Sequence, residues 1–277
     1  FCASMLEETE GIHFFILPEK EEAAYFFNDL LSCFPESNAV FFPSSYKRSI
    51  QYGQPDSGNI ILRTEAMNRL NEYSSGSLAL VTYPEALIEK VITRKSLNEN
   101  TLPLQVGESI SIPFIREVME TYRFEEVDFV SEPGQFAIRG SIVDIFSFSA
   151  EYPYRVDFFG DEVESIRSFD IESQLSDNQL EKVSIVPNLL QNPTDERYQP
   201  ILSFRDIPAI VWSDNLQFVA ERLGEMEQSL TEHSQEERSG LYAKSTFLAD
   251  IATLKTIELS KRSIFPNPKM VAFNTKP

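Results

Sequence analysis

Arg139, Arg155 and Asp157 stand where residue type and spacing point most clearly to a chemistry. Arg139 precedes a glycine in FAIRGSIVDIF, and Arg155 and Asp157 alternate with Val156 and Phe158 in YRVDFF. A guanidinium is a rigid planar fork that takes a carboxylate through two parallel hydrogen bonds. Arginines so placed serve recognition. The simplest acceptor is a carboxylate across the strand, Asp144, Asp157 or Glu164, in an ion pair contributing about 0.2–1 kcal/mol. The other acceptor is a carboxylate or carbonyl on a second protein.

Catalytic groups are missing or misplaced. ATP hydrolysis needs a glycine loop ending Gly-Lys-Ser/Thr, because backbone amides and that lysine hold the phosphates. None of the ten glycines is followed by lysine. It also needs an acidic pair after a strand to hold magnesium. The apolar run 207–212 is followed instead by Ser213, Asp214 and Asn215, and Asp214 reads as a helix cap. His13 lies in an apolar run and His233 in an acidic one, neither beside a Cys or Ser motif, so both read as structural. Asp161-Glu162 reads as solvated charge on a turn. No catalytic residue, metal or cofactor is expected in this chain.

The charge balance narrows the partner. A net charge of −19 argues against broad phosphate binding, which consumes Lys and Arg. Between Ile115 and Leu175 there are 14 Asp or Glu against 5 Arg and no Lys. Sparse arginines in an acidic field suit a protein interface better than a DNA track. Tyr46, Lys47 and Arg48 with Tyr52 could stack and clamp nucleic acid, but their charges are too few to define a track, so that loop reads as packed on protein. Cys2 and Cys33 have no metal-ligand spacing, as in a reduced cytoplasmic protein. No apolar run approaches the roughly 18 residues of a membrane span, and no basic signal peptide opens the chain.

At 277 residues with 22 Phe, the chain suits roughly two domains with sizeable cores. Apolar runs at 12–17, 40–42 and 78–82 alternate with helical spacing at 18–34 and 60–73, which predicts a parallel α/β sheet. A further helix over 85–93 leaves this domain, with a boundary near residue 93 ahead of the polar 95–100 stretch. Ser111 caps a helix to 122. Residues 133–170 then form a mostly antiparallel sheet, with a bulge at Gly140-Ser141 and a hairpin turn at Gly160-Asp161. Strict alternation puts Arg155, Asp157 and Glu164 on one face, and Tyr154, Val156, Phe158 and Val163 on the other. After a polar 173–181 come strands at 183–186 and 207–212, a helix over 216–226, and a polar 225–239 stretch that reads as a solvated insertion.

The runs FAIRGSIVDIF and YRVDFFGDEVESIRSFD resemble the second domain of UvrB and of the UvrB-like N-terminal region of bacterial transcription-repair coupling factors, the Mfd family. LPEKEEAAYFFNDL, FFPSSYKRSIQY and VTYPEALIEKV are similar to the coupling factors rather than to UvrB. The resemblance implies a helicase-like parallel-sheet domain, 1–93 together with 178–277, that lacks functional ATPase motifs. An α+β domain, 94–177, is inserted in it. It further implies a surface for UvrA at Arg139, Arg155 and Asp157, with Phe136 and Arg123 carried over beside them. Ala137 stands where UvrB has another arginine of that surface. The implied function is recruitment of UvrA to stalled transcription complexes in nucleotide excision repair. A C-terminal domain of the longer protein would mask the surface. RNA polymerase, DNA, ATP and magnesium would belong to other domains of that protein, beyond Pro277. A DNA-binding module and a residual ATPase core are the competing readings.

Overall fold

The computed structural model describes residues 2–33, 38–46, 56–188, 198–204, 208–231, 241–260 and 263–271. Helix α1 (Cys2–Glu8) leads into β1 (Gly11–Ile16), buried at every position. Helix α2 (Lys20–Cys33) carries Glu21 and Glu22 in its first turn, where the helix dipole favours acids, and buries Ala23 and Leu30. Strand β2 (Asn38–Phe41) follows, then α3 (Ser57–Glu72), capped by Asp56, which accepts from the Asn59 amide at 3.0 Å. Strand β3 (Ser77–Thr82) precedes the single turn α4 (Pro84–Leu87).

The helix expected over 85–93 stops there. The Glu89 carbonyl accepts from Arg63 Nη2 at 3.3 Å, and its carboxylate accepts from the Ser44 hydroxyl at 2.6 Å and the Ser45 amide at 3.0 Å. The chain then runs extended as β4 (Val91–Ile92). The polar stretch just beyond the expected boundary forms a helix, α5 (Arg94–Glu99), whose cap Thr93 accepts from the Ser96 amide and whose Leu97 is buried.

Next come β5 (Leu102–Gln105), α6 (Ile112–Thr121) with Ser111 as its cap, and the short β6 (Glu125–Glu126). Strands β7 (Gln135–Arg139), β8 (Ile142–Ile145), β9 (Tyr154–Phe159), β10 (Glu162–Phe169), β11 (Ser176–Leu180) and β12 (Lys182–Ile185) follow. The last part holds β13 (Tyr198–Gln199), β14 (Ala209–Ser213), α7 (Leu216–Thr231), α8 (Lys244–Thr253) and β15 (Lys255–Glu258). Helix α7 outruns its expected end, and 232–239 of the expected insertion lie outside the described residues.

Five parallel strands form one sheet in the order β15-β14-β1-β3-β2. The second sheet, β11-β10-β9-β8-β7-β6, is antiparallel except where β6 meets β7. The fold is mixed α/β, as expected, with one core around β1, β3 and β14 and another between α6 and the second sheet. Strand β12 pairs with β5, and Val183 and Ile185 join the second core. The 177/178 cut implied by the resemblance therefore falls inside β11, ahead of Val183 and Ile185 in that core. Leu97, beyond residue 93, packs in the first core.

Candidate functional site

The second sheet buries one face against α6; on the other, Ala137, Phe146 and Phe169 pack with Val130 in a small third core, and the rest turns outward. Val143, Ile145, Val156, Phe158, Val163 and Ile166 fill the inner face. Gly140-Ser141 is a hairpin turn rather than a bulge: Arg139 pairs with Ile142, and Gly140 takes φ +63°, a conformation open to glycine. Gly160 does the same between β9 and β10, where Phe159 pairs with Glu162. The bulge lies at Glu164 instead. Val163 opposes Phe158 and Ser165 opposes Asp157, so Glu164 is the extra residue. It resets the alternation and brings Ser165 and Arg167 to the outer face. Glu164 itself is exposed and does not share the ladder with Arg155 and Asp157.

Across the outer face, Ala137, Asp144, Arg155, Arg167 and Gln179 follow one another from β7 to β11. Asp144 is fully buried and is the hub. Its Oδ1 accepts from Arg155 Nε at 2.8 Å and its Oδ2 from Arg155 Nη2 at 2.9 Å. Oδ2 also accepts from Arg139 Nη2. Arg155 Nη1 donates to the Gln174 carbonyl at 3.2 Å, and the guanidinium lies 4.4 Å over the Phe169 ring. The bond to Asp144 holds Arg155 above the usual arginine range. Arg139 Nη1 donates to the Asp128 carbonyl at 2.9 Å, with the guanidinium 5.2 Å over Phe129.

Arg139 and Arg155, implied by the resemblance as parts of one UvrA surface, differ in place and exposure. In the structure β8 separates their strands, and their side-chain exposures differ, 36% for Arg139 and 15% for Arg155. Asp157 is engaged too, accepting from Ser165 Oγ at 2.8 Å and from Arg167 Nη2. Phe136 is fully buried in the second core opposite Ile145, so it cannot touch a partner. Its position on the inner side of β7 follows from pleat parity: Arg139 points outward, and Phe136 is an odd number of residues away. Arg123 is exposed at the C-terminal end of α6, with φ +58° and its amide donating to the Glu120 carbonyl at 3.0 Å.

Three outer residues escaped the sequence reading. Arg167 has a side chain 40% exposed, and the rings of Phe159 and Phe129 are 79% and 66% exposed. The signal for Arg167 was the three-residue spacing from Val163 to Ile166, where an unbroken strand face would have two.

The first sheet offers no comparable constellation among the described residues. His13 is enclosed: Trp212 Nε1 donates to its Nδ1 at 3.1 Å, and burial pushes its pKa down. Asn215, not Asp214, caps α7, accepting from the Phe218 amide at 3.0 Å. Lys47, Arg48 and Tyr52 lie outside the described residues. Burial raises the hydroxyl pKa of Tyr46. No group of three or more His, Cys, Asp or Glu side chains among the described residues could hold a metal ion. No described helix is long and apolar enough to cross a membrane.

Residues 102–190 match the family model of the UvrB interaction domain. The chain is similar to the transcription-repair-coupling factor of Bacillus subtilis strain 168, 28% identical over 190 residues, or 68% of this chain and 16% of that protein. It is 32% identical over 117 residues to that of Escherichia coli K12, covering 42% of this chain and 10% of the relative. For the Haemophilus influenzae factor the identity is 25% over 191 residues, 69% of this chain and 16% of the relative. The matched stretch is thus a small part of each relative. Residues 102–190 are thus similar to the UvrB interaction domain, and the chain to part of the transcription-repair-coupling factors.

Proposed function

We propose that this chain is a non-catalytic binding module that engages UvrA through the outer face of its second sheet. The observation that carries this reading is a coincidence of place. The stretch matching the UvrB interaction domain, 102–190, is the part of the chain whose sheet carries Arg139, Arg155 and Arg167 on one face, with the exposed Phe159 on the same face and the exposed Phe129 against Arg139. Arginine with aromatic side chains is the composition of interface hot spots. In the longer protein the module brings UvrA to stalled transcription complexes during nucleotide excision repair. Other domains contact RNA polymerase and DNA and use ATP and magnesium, and a C-terminal domain masks the UvrA face. The protein works in the cytoplasm.

The proposed division is a host domain built on the parallel sheet and an insert built on the antiparallel one. Its support is that β14, late in the chain, lies beside β1. Calorimetric titration of the chain with purified UvrA tests the main reading. Saturable binding is expected, and Arg139→Ala weakens it by about tenfold per folded molecule, with a smaller loss of melting temperature than Arg155→Ala because Arg155 still holds Asp144. A folded chain with no affinity for UvrA overturns it. Titration with Mg-ATP should give no saturable heat, because no glycine precedes a lysine.

A further inference from the structure

We propose that Arg167 is a contact residue of the binding face and that Asp157 positions it. The inference rests on the UvrA reading above and redistributes roles within that face. The three guanidiniums are committed to very different degrees. Arg155 engages Nε, Nη1 and Nη2 with Asp144 and Gln174. Arg139 engages both terminal nitrogens. Arg167 engages only Nη2 among the described residues, and its Nε is buried with no hydrogen-bond partner. A guanidinium carries five N–H donors, and although Nε is enclosed, Arg167 alone of the three keeps Nη1 wholly unengaged among the described residues. It is also the most exposed of the three.

Charge sets what can approach. Arg167 sits directly opposite Arg155 on the β9–β10 ladder, a placement that is unfavourable for like charges unless anions separate them. Asp157 compensates Arg167, whereas Asp144 alone serves both Arg155 and Arg139, so the one excess positive charge of these five side chains lies beside Arg167 rather than on it. An acceptor from UvrA that Arg167 holds therefore meets a net positive neighbourhood. Asp157 is only 17% exposed and accepts both Ser165 Oγ and Arg167 Nη2, the arrangement of a group that orients a neighbour. Phe159, on the same strand and face as Asp157, supplies an exposed apolar surface nearby that can exclude water from such a contact.

The test uses the whole chain and purified UvrA, with titration calorimetry and thermal melts on wild type, Arg167→Ala, Arg167→Lys, Asp157→Asn and the double variant Asp157→Asn/Arg167→Ala. Arg167→Ala should weaken binding by about tenfold with an unchanged melt. Arg167→Lys keeps the charge but loses the fork, and should recover only part of the affinity. It also stands in should the alanine variant fail to fold. Asp157→Asn should weaken binding in the wild-type background and have no further effect once Arg167 is alanine, the non-additivity expected of a residue acting through another. An affinity within about twofold of wild type for both Arg167 variants, while Arg139→Ala still binds poorly, overturns the assignment and leaves the UvrA reading standing. Additive losses overturn the positioning role of Asp157. A folded wild-type chain that ignores UvrA overturns the reading and the assignment together.

Discussion

Asp144 shows how differently two arginines on one face can behave. A carboxylate with no exposure is stabilised only while its lone pairs are filled, and removing a partner from a buried pair leaves a desolvated charge behind. Arg155→Ala strips two of its three guanidinium bonds. The chain should lose about 3 kcal/mol of stability in a denaturant titration, the low end for breaking a buried pair because Arg139 still holds Asp144. An unshifted midpoint would show that the clamp contributes nothing. The other buried ionisable group with a clear consequence is His13, whose folded-state pKa lies below the ordinary 6.5 because burial disfavours the imidazolium. Below 6.5 the unfolded chain therefore binds the proton more readily than the folded one. The contribution is complete above 6.5 and is lost as pH falls toward the depressed value, at up to about 1.4 kcal/mol per pH unit. Urea melts of wild type and His13→Gln between neutral and mildly acid pH should diverge in slope, the variant being flatter.

Among the elements, α7 gives the sharpest test of a local assignment. Asn215→Ala removes the side chain that caps the Phe218 amide and should cost about 1 kcal/mol in thermal denaturation, whereas Asp214→Ala should be close to neutral. Equal effects would contradict this geometry. The sequence pointed to a cap one residue early because Asp and Asn are equally good at the position, and only the backbone decides which of two neighbours occupies it. The central strands β1 and β3 were legible because continuous apolar runs bounded by Pro18 and Pro84 leave little choice. The 85–93 stretch was not, because a long-range contact from Arg63 takes the Glu89 carbonyl out of local helix bonding. In the second sheet, Arg155 and Asp157 were placed on the outer side by simple alternation. Arg167 was missed because one bulged residue reverses parity after Val163. Phe136 was assigned by likeness to another surface, against the parity of its own strand.

For the molecule as a whole, the two cores set where the chain can be divided. A fragment of residues 102–190 contains β5 and β12, which pair with each other, and should give dispersed amide spectra and a cooperative melt. A fragment ending at 177 loses Val183 and Ile185 from the second core, uncovers Leu104, and should melt without cooperativity. Equal behaviour of the two would mean that β12 adds nothing to the unit. The order of strands in the parallel sheet bears also on the history of the chain. Ile12 pairs on one side with Leu78 and on the other with Ala209. On a ribosome adding roughly 5–20 residues each second, β1 meets its first neighbour early and waits at least several seconds for its second. In that interval the whole antiparallel sheet has emerged, and its hairpins close only short loops. That sheet therefore completes its pairing while β1 still has one open edge. Through that window of synthesis the open parallel sheet, rather than the antiparallel one, is what chaperones must shield.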